Sequence, residues 1–200
     1  IARATRSAVD DADVSGPALR PLTITFGTST LASAAFISNL VPALGERGVS
    51  ASLAALLGGM FGLLQLPGRA LMISRRMPLS TEALVVISLA AQAIGLFIVA
   101  AISMAWGPAI GVAIFAVGSG LTALARPSLV YSRFGVARSG YVNGRLSRAQ
   151  QLGRAVGPVL ASSIAAMSSH QVVLILLATA LSLFAWRFVR MLAADGAGSS

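Results

Sequence analysis

Long apolar segments alternate with short polar breaks along most of the chain. Six such segments lie at residues 22–44, 51–73, 82–104, 108–130, 145–168 and 171–190, and each is close to the roughly twenty residues that an α-helix needs to cross a bilayer. Strand-like alternation is absent from the sequence, and backbone groups in lipid must be hydrogen-bonded within their own segment. The pattern therefore predicts an all-α membrane protein with six transmembrane helices.

The two ends of the chain depart from this pattern. Residues 1–20 are polar and weakly periodic, and Gly16 followed by Pro17 disfavours regular structure. We therefore expect a cytoplasmic linker over residues 1–20, a six-helix transmembrane bundle over residues 21–190 and a cytoplasmic tail over residues 191–200.

The composition favours lipid as the main solvent. Only 10% of the residues are charged and the mean hydropathy is +0.83, whereas soluble domains carry roughly a quarter charged residues. Cysteine is absent and there is one histidine, which leaves little material for a metal centre. No Ser/His/Asp set or carboxylate pair lies at membrane depth. We therefore expect a protein that is not an enzyme and that has no cofactor and no metal site.

All fifteen basic residues are arginine, and the formal net charge is +9. A basic excess suggests nucleic acid only where the charge lies on a soluble face with stacking aromatic residues. The two tryptophans and two tyrosines instead lie mostly at segment ends, as is typical of membrane interfaces. The expected surrounding partner is the lipid bilayer, and no nucleic-acid partner is expected.

The arginines are unevenly distributed between the two sides of the predicted membrane. Six of them lie between Ala123 and Pro158, and others lie in the break at 74–80 and near both chain ends, whereas only Arg47 lies on the opposite side. Arginine-rich loops remain on the cytoplasmic side of a membrane. The distribution therefore predicts a multi-pass protein of the cell inner (plasma) membrane with both termini cytoplasmic.

Polar residues within the apolar segments are concentrated in the first, second, fourth and fifth segments. The third offers only Gln92 as a strongly polar interior residue, and the sixth is nearly pure Val, Leu, Ile and Ala over residues 172–186. Because polar groups at membrane depth usually face a bundle interior or water, we expect four helices to surround a wet cavity and the third and sixth to stand outside, facing lipid. The candidate substrate-binding, cavity-lining residues are Asn39, Gln65, Arg126, Gln151 and Arg154.

The fifth segment carries the most specific of these signals. Ser147, Gln151, Arg154 and Pro158 recur at spacings of three and four, so they share one helix face. Arg154 lies about 15 Å from the predicted helix start, near the middle of the bilayer, where a guanidinium needs an anion, a carbonyl cluster or water. We predict that Arg154 helps to bind an anionic or polar solute; an arginine that braces a neighbouring helix or belongs to a cytoplasmic gate is equally compatible with the pattern.

Glycine spacing and a short internal echo suggest how the helices pack. Glycines 153 and 157 in the fifth segment, and glycines 58, 59 and 62 in the second, favour close helix approach. The run QLPGR at 65–69 is echoed by QLGR at 151–154. The six predicted helices form two successive groups of three, which we call triplets, and each run lies in the second helix of its triplet. These two second helices cross the membrane in opposite directions, which is the pattern of a 3+3 inverted repeat.

Two stretches resemble the major facilitator superfamily of transporters. The run LLGGMFGLLQLPGRALM at 56–72, followed by Arg75 and Arg76, resembles an eighth span and its loop; residues 125–162 resemble the tenth span, its cytoplasmic loop and the eleventh span of bacterial members. The resemblance covers residues 21–190 as a C-terminal six-helix half, and it implies that the first, second, fourth and fifth helices line a cavity. The acid of the family's basic loop motif is missing between Gly68 and Arg75.

This resemblance implies transport of a small solute by alternating access, in a secondary transporter of which this chain is the C-terminal half. The expected partners are a small-molecule solute, for which the arginines suggest an organic anion, and an N-terminal six-helix half missing from these residues or a second copy of the chain. The alternative is a non-transporting membrane module, or a half-size subunit that acts in assembly or regulation.

Overall fold

A computed structural model describes residues 19–73, 79–102, 104 and 106–197. The described chain is helical and contains no strand. Its helices are α1 (Leu19–Gly45), α2 (Ala51–Leu64), α3 (Leu66–Ile73), α4 (Thr81–Ala101), α5 (Gly107–Met167) and α6 (His170–Ala197). Most of the expected linker (residues 1–18), the basic pair Arg75 and Arg76, and the last three residues of the expected tail lie outside the described residues.

The expectation of six separate helices is wrong, because five helices of the described chain are long and apolar enough to cross a membrane. The fourth and fifth predicted segments both belong to α5, which has 61 residues and is interrupted only at Gly135. The φ of +69° and ψ of 175° at Gly135 belong to a region that is essentially restricted to glycine. This glycine lies in the polar break predicted between the two segments, at residues 131–144, but the helix continues on both sides of it.

Helix α5 is nevertheless a hairpin with two membrane-length arms. A straight helix would separate Arg126 from Gln150 by about 36 Å at ~1.5 Å per residue, yet their side chains are hydrogen-bonded. The chain therefore folds back at Gly135, and we call residues 107–134 the first arm and residues 136–167 the second arm. The apolar pattern predicted both arms. The connection between them differs from the expected loop, because the chain turns at the single residue Gly135.

The bundle has two distinct ends. At the hinge end, which contains Gly135, the Arg133 guanidinium lies 3.6 Å from the carboxylate of Glu82 at the start of α4. At the opposite end, the Glu46 carboxylate accepts a hydrogen bond from the His170 backbone N–H at 3.0 Å and lies 2.6 Å from His170 Nδ1. We call this second end the Glu46 end; it joins the end of α1 to the start of α6.

Helices α2 and α3 form one span with a break at Gln65. Pro67 has no backbone N–H, and its ring conflicts with the carbonyl of the residue four positions earlier. The Gln65 N–H consequently turns to the carbonyl of Gly62, at 3.3 Å. Helical hydrogen bonding resumes when the Arg69 N–H donates to the Gln65 carbonyl at 3.2 Å.

The glycines of the two echoed runs make equivalent contacts between the triplets. A Cβ added to Gly68 on α3 would lie 2.3 Å from the carbonyl oxygen of Val117 on the first arm, and one added to Gly153 on the second arm would lie 2.8 Å from the carbonyl oxygen of Gly27 on α1. The second helix of each triplet thus packs closely on the first helix of the other, as a 3+3 inverted repeat requires. Gly59 and Gly62, by contrast, face no atom of the described chain within 4 Å.

Helix α4, the third predicted segment, does not face lipid all round as expected. Leu89, Gln92, Leu96 and Val99 are fully buried, and the helix packs along the first arm of α5 and along α6. One stripe remains exposed, where Ile94 and Phe97 are 53% and 59% accessible. The expectation failed because the segment is apolar enough for either environment, so its hydropathy alone does not distinguish a packed face from a lipid face.

Candidate functional site

A polar cleft of about 500 Å³ runs along one side of the bundle, between α1, the Gln65 break, and both arms of α5. The surrounding helices are otherwise apolar, so the cleft collects much of the polarity that the described chain holds at membrane depth. Its polar lining residues are Ser29, Thr30, Ser33, Ser38, Gln65, Arg69, Ser119, Thr122, Arg126, Gln150 and Arg154. Four of the predicted segments contribute to it, namely the first, second, fourth and fifth.

Arg126 joins the two arms of α5 across the cleft. Its guanidinium donates a hydrogen bond to the Gln150 side-chain oxygen and lies 3.5 Å from the Ser147 hydroxyl. Arg126 is half-buried, and the cleft lining around it contains no acidic side chain. The contact holds one edge of the planar guanidinium on the protein. Because arginine can donate to several acceptors at once, its other N–H groups can still donate.

Gln65 holds a second arginine at the cleft. The Arg69 guanidinium donates to the Gln65 side-chain oxygen at 3.0 Å, one turn along the helix. Because Pro67 breaks the helix at Gln65, the two residues lie where α2 ends and α3 begins. The sequence singled out Gln65; the structure adds Arg69 as the charged group that Gln65 orients.

The fifth predicted segment presents a different glutamine to the cleft than the one expected. Arg154 lines the cleft together with Gln150, which lies one turn earlier on the same helix face. Gln151 is exposed and is not among the cleft-lining residues. The contact of Gly153 with α1 sets the rotation of the second arm, and this rotation favours Gln150. The i, i+4 spacing from Arg154 was the sequence signal that could have identified it.

Asn39 lies in the interface between α1 and the second arm of α5. Its side chain is 4% exposed, donates to the Ala35 carbonyl at 3.0 Å and accepts from the Ser162 hydroxyl at 3.2 Å. These contacts bind two helices together beside the cleft. The neighbouring Ser38 is the residue of this turn that lines the cleft.

A buried polar network lies behind the cleft and centres on Gln92 of α4, which is 0% exposed. The Ser29 hydroxyl donates to the Gln92 side-chain oxygen at 3.0 Å. The Gln92 amide nitrogen donates to the Thr122 hydroxyl at 2.8 Å and to the Ser88 carbonyl at 3.2 Å. Ser29 and Thr122 both line the cleft, so Gln92 fixes two of its wall residues from behind. Sequence reasoning left Gln92 out because it is alone in its segment.

The charge of the cleft has one sign. Arg69, Arg126 and Arg154 line it, and its lining contains no aspartate or glutamate. Arg126 lies on the first arm of α5 and Arg154 on the second. Three guanidinium groups without a carboxylate create a positive potential that low-dielectric walls strengthen. An anion or a carboxylate-bearing molecule is the complement that such a cleft would bind.

Comparison with known proteins supports the fold. No family model and no curated protein matches the chain. Among solved structures, one match is the crystal structure of a mutant of the peptide transporter POT in complex with sulfate, with a TM-score of 0.76 and 16% sequence identity. The match covers 86% of this chain and 37% of that chain, so the chain spans little more than a third of the length of that protein.

The expectation of an all-α membrane protein with a transporter fold is therefore confirmed. The described helices are apolar enough to span a membrane, and their arrangement is similar to that of part of a transporter. At this sequence identity the likeness concerns the fold alone.

Proposed function

We propose that the chain is one half of a secondary transporter of the major facilitator type, which moves a small solute across a membrane by alternating access. The observation that carries the proposal is the cleft: polar groups from α1, the Gln65 break and both arms of α5 converge on one side of an apolar bundle. A structural neighbour that is a transporter supports the same function. We infer that four of the five sequence candidates act here, with Gln65, Arg126 and Arg154 at the cleft and Asn39 holding its wall; Gln151 does not line the cleft.

The proposed pathway needs a second half. Arg69 and Arg154 are exposed along the cleft, and a charged side chain turned to acyl chains costs several kcal/mol. A further six-helix half, on the same polypeptide or in a second copy of this chain, would cover the cleft and leave water between the halves. Rocking of the halves would open the cleft to each side of the membrane in turn, and we place the hinge end on the cytoplasmic side.

The proposed substrate class is a small solute that carries a carboxylate or another oxyanion. Guanidinium groups bind carboxylates and phosphates through paired, charge-assisted hydrogen bonds. Arg126 is already oriented by Gln150, and Arg69 by Gln65, which leaves Arg154 as the cleft arginine without a hydrogen bond to another described residue. The neighbour is a peptide transporter with bound sulfate, and both a peptide carboxylate and an inorganic oxyanion belong to the proposed class.

Uptake into proteoliposomes tests the proposal. The chain, alone and together with its companion half, is reconstituted and offered radiolabelled carboxylates, phosphate esters and short peptides. We expect uptake of at least one of these classes, and a loss of tenfold or more in Arg154→Gln and in Arg126→Gln. Arg190→Gln is the matched control, because it removes an arginine that lies over Trp186 on α6 and outside the cleft.

Two results would contradict the proposal. A protein that takes up no member of the panel in either preparation, and binds none, would instead fit a membrane module that acts in assembly or regulation. Unchanged uptake in both cleft variants would show that the solute passes elsewhere.

A further inference from the structure

A second cavity, of about 890 Å³, lies at the hinge end between the start of α1 and the second arm of α5. It is larger than the cleft and has a different composition. Three arginines line it, and the rest of its lining is aliphatic side chains and glycines together with Thr23 and Tyr141. The residues that matter here are Arg20, Arg145 and Arg148 on the rim and Ile24, Leu152 and Leu19 on the wall.

This cavity and the cleft lie on opposite faces of the second arm. Gln150 and Arg154 line the cleft, whereas Arg148 and Leu152 line the second cavity. Residues two apart on an α-helix point about 200° away from each other, because each residue turns the helix by about 100°. If the cleft faces a companion half, the second cavity faces away from that half, towards the surrounding lipid.

The charge of the second cavity is unbalanced within the described chain. Its lining has three arginines and no aspartate or glutamate. The Arg145 guanidinium lies 3.4 Å from the Tyr141 hydroxyl, which is neutral, and neither Arg20 nor Arg148 forms an ion pair with a described residue. A bound anion would offset the mutual repulsion of three guanidinium groups around one cavity.

The depth of the arginines matches that of lipid phosphates. Arg148 lies 19 residues before the end of α5 at Met167, or about 28 Å along the helix, and the hydrocarbon core of a bilayer is about 30 Å thick. Arg20 lies 25 residues before the end of α1 at Gly45, or about 37 Å. With the opposite helix ends at the far edge of the core, both arginines lie at or just beyond its near edge, where head groups begin.

The wall of the cavity continues from the arginines into the apolar zone. Ile24 and Leu152 are 51% and 67% exposed, and each lies one turn deeper than an arginine of the rim, Ile24 after Arg20 and Leu152 after Arg148. A molecule with a charged head and an apolar tail would meet both features in the right order. A soluble anion would use only the arginines.

We propose that this cavity is a binding site for one anionic phospholipid. Arg20, Arg145 and Arg148 bind its phosphate, and an acyl chain lies along Ile24 and Leu152. The cavity is of the size that small-molecule ligands occupy, about 300–1,000 Å³. The assignment depends on the second cavity alone and not on the transported solute.

Native mass spectrometry of the full chain in detergent, titrated with dioleoyl phosphatidylglycerol or dioleoyl phosphatidylcholine, tests the proposal. We expect one tightly bound phosphatidylglycerol, with an affinity at least tenfold above that for phosphatidylcholine. Arg145→Gln combined with Arg148→Gln should lower the phosphatidylglycerol affinity about tenfold or more, since each arginine near an anionic lipid contributes about 1 kcal/mol. Ile24→Ser combined with Leu152→Ser should weaken it by a smaller factor and leave the preference for the anionic lipid.

The matched control combines Arg138→Gln with Arg190→Gln. It removes the same charge from the same end of the bundle, outside the cavity, and should leave the affinity within twofold of wild type. An equal loss in this control would show a diffuse electrostatic attraction and would overturn the site. Circular dichroism melting of each variant confirms that it is folded before its affinity is compared.

Two further outcomes would overturn the proposal. Glycerol 3-phosphate that competes with the lipid at equal concentration would show a site for a soluble anion, in which the apolar wall has no part. A wild-type chain that binds phosphatidylglycerol no better than phosphatidylcholine would show that the cavity does not select an anionic head group.

Discussion

The guanidinium of Arg126 donates a hydrogen bond to the side-chain oxygen of Gln150, and this contact closes the α5 hairpin at the level of the cleft. It joins the first arm to the second. It also keeps a positive charge on the cleft wall while a neutral side chain, rather than a carboxylate, orients that charge. The cleft thereby retains the potential that an anionic solute would respond to.

Gln150→Glu should weaken the binding of an anionic solute at least tenfold. The substitution keeps the shape of the side chain but places a carboxylate beside Arg126 and near Arg154, which offsets their charge. Gln151→Glu is the matched control one residue away; since Gln151 does not line the cleft, its effect should be within about twofold. Solute affinity by isothermal calorimetry or uptake measures both, and a larger effect at Gln151 would contradict the described rotation of the second arm.

Gly135→Ala should destabilise the protein by about 1–3 kcal/mol. Its positive φ of +69° allows the hairpin to turn without a loop, and a Cβ at this position is strained even though nothing lies within 4 Å of it. Gly140→Ala changes an exposed helical glycine and should be neutral or stabilising by up to about 1 kcal/mol. Thermal unfolding in dodecyl maltoside, followed by circular dichroism, compares the two; equal melting temperatures would argue against the turn.

Gly68→Ala should cost about 1–3 kcal/mol, because the new methyl group would overlap the Val117 carbonyl and push α3 away from the first arm. Gly62 lies six residues earlier in the same span, and a Cβ there would have no neighbouring atom within 4 Å. Gly62→Ala should therefore show no loss of stability in the same assay. If Gly62→Ala were the more damaging of the two, the exposed side of α2 would be a packed interface and Gly68 would not be a close contact.

Lowering the pH should weaken the Glu46 end. The hydrogen bond from the His170 side chain holds the pKa of Glu46 below its ordinary value. A carboxylate with a lowered pKa contributes stability above the ordinary glutamate pKa of about 4.3, and this contribution is lost as the pH falls through the lowered value. Melting temperatures of wild type should therefore decline more steeply than those of Glu46→Gln between pH 6 and pH 3. Parallel profiles would show that the pair contributes nothing measurable, as its partial exposure allows.

Hydropathy predicted the spans well because the length of a membrane-crossing helix is set by the bilayer. The first segment, expected at 22–44, is Leu19–Gly45, and the arms of α5 enclose the segments expected at 108–130 and 145–168. The break between these two segments was predicted at residues 131–144, but its form was not, because a turn at the single residue Gly135 depends on one backbone conformation. The placement of the termini and of the hinge end on the cytoplasmic side stays a prediction from the arginines.

Rotation of the helices about their own axes was the harder part to predict. The sequence placed Arg154 on a polar face, but the choice between Gln150 and Gln151 depends on how Gly153 packs on α1. Likewise, the role of Gln92 was not predicted, because its partners Ser29 and Thr122 come from two other helices. Such pairings are tertiary, and one sequence does not encode them in any local pattern.

The central claim is that water fills the cleft while lipid covers the outer faces of α4 and α6, and cysteine accessibility measures it directly. The chain contains no cysteine, so single variants can be made in the wild-type background. Ser33→Cys and Ser119→Cys lie in the cleft, whereas Ile94→Cys and Leu183→Cys lie on exposed apolar faces. Each is exposed to a charged, membrane-impermeant thiosulfonate in proteoliposomes that contain the companion half, from either side of the membrane.

The account predicts that both cleft cysteines react from at least one side and that the two outer-face cysteines do not. Rapid labelling at positions 94 and 183, together with protection at positions 33 and 119, would contradict it.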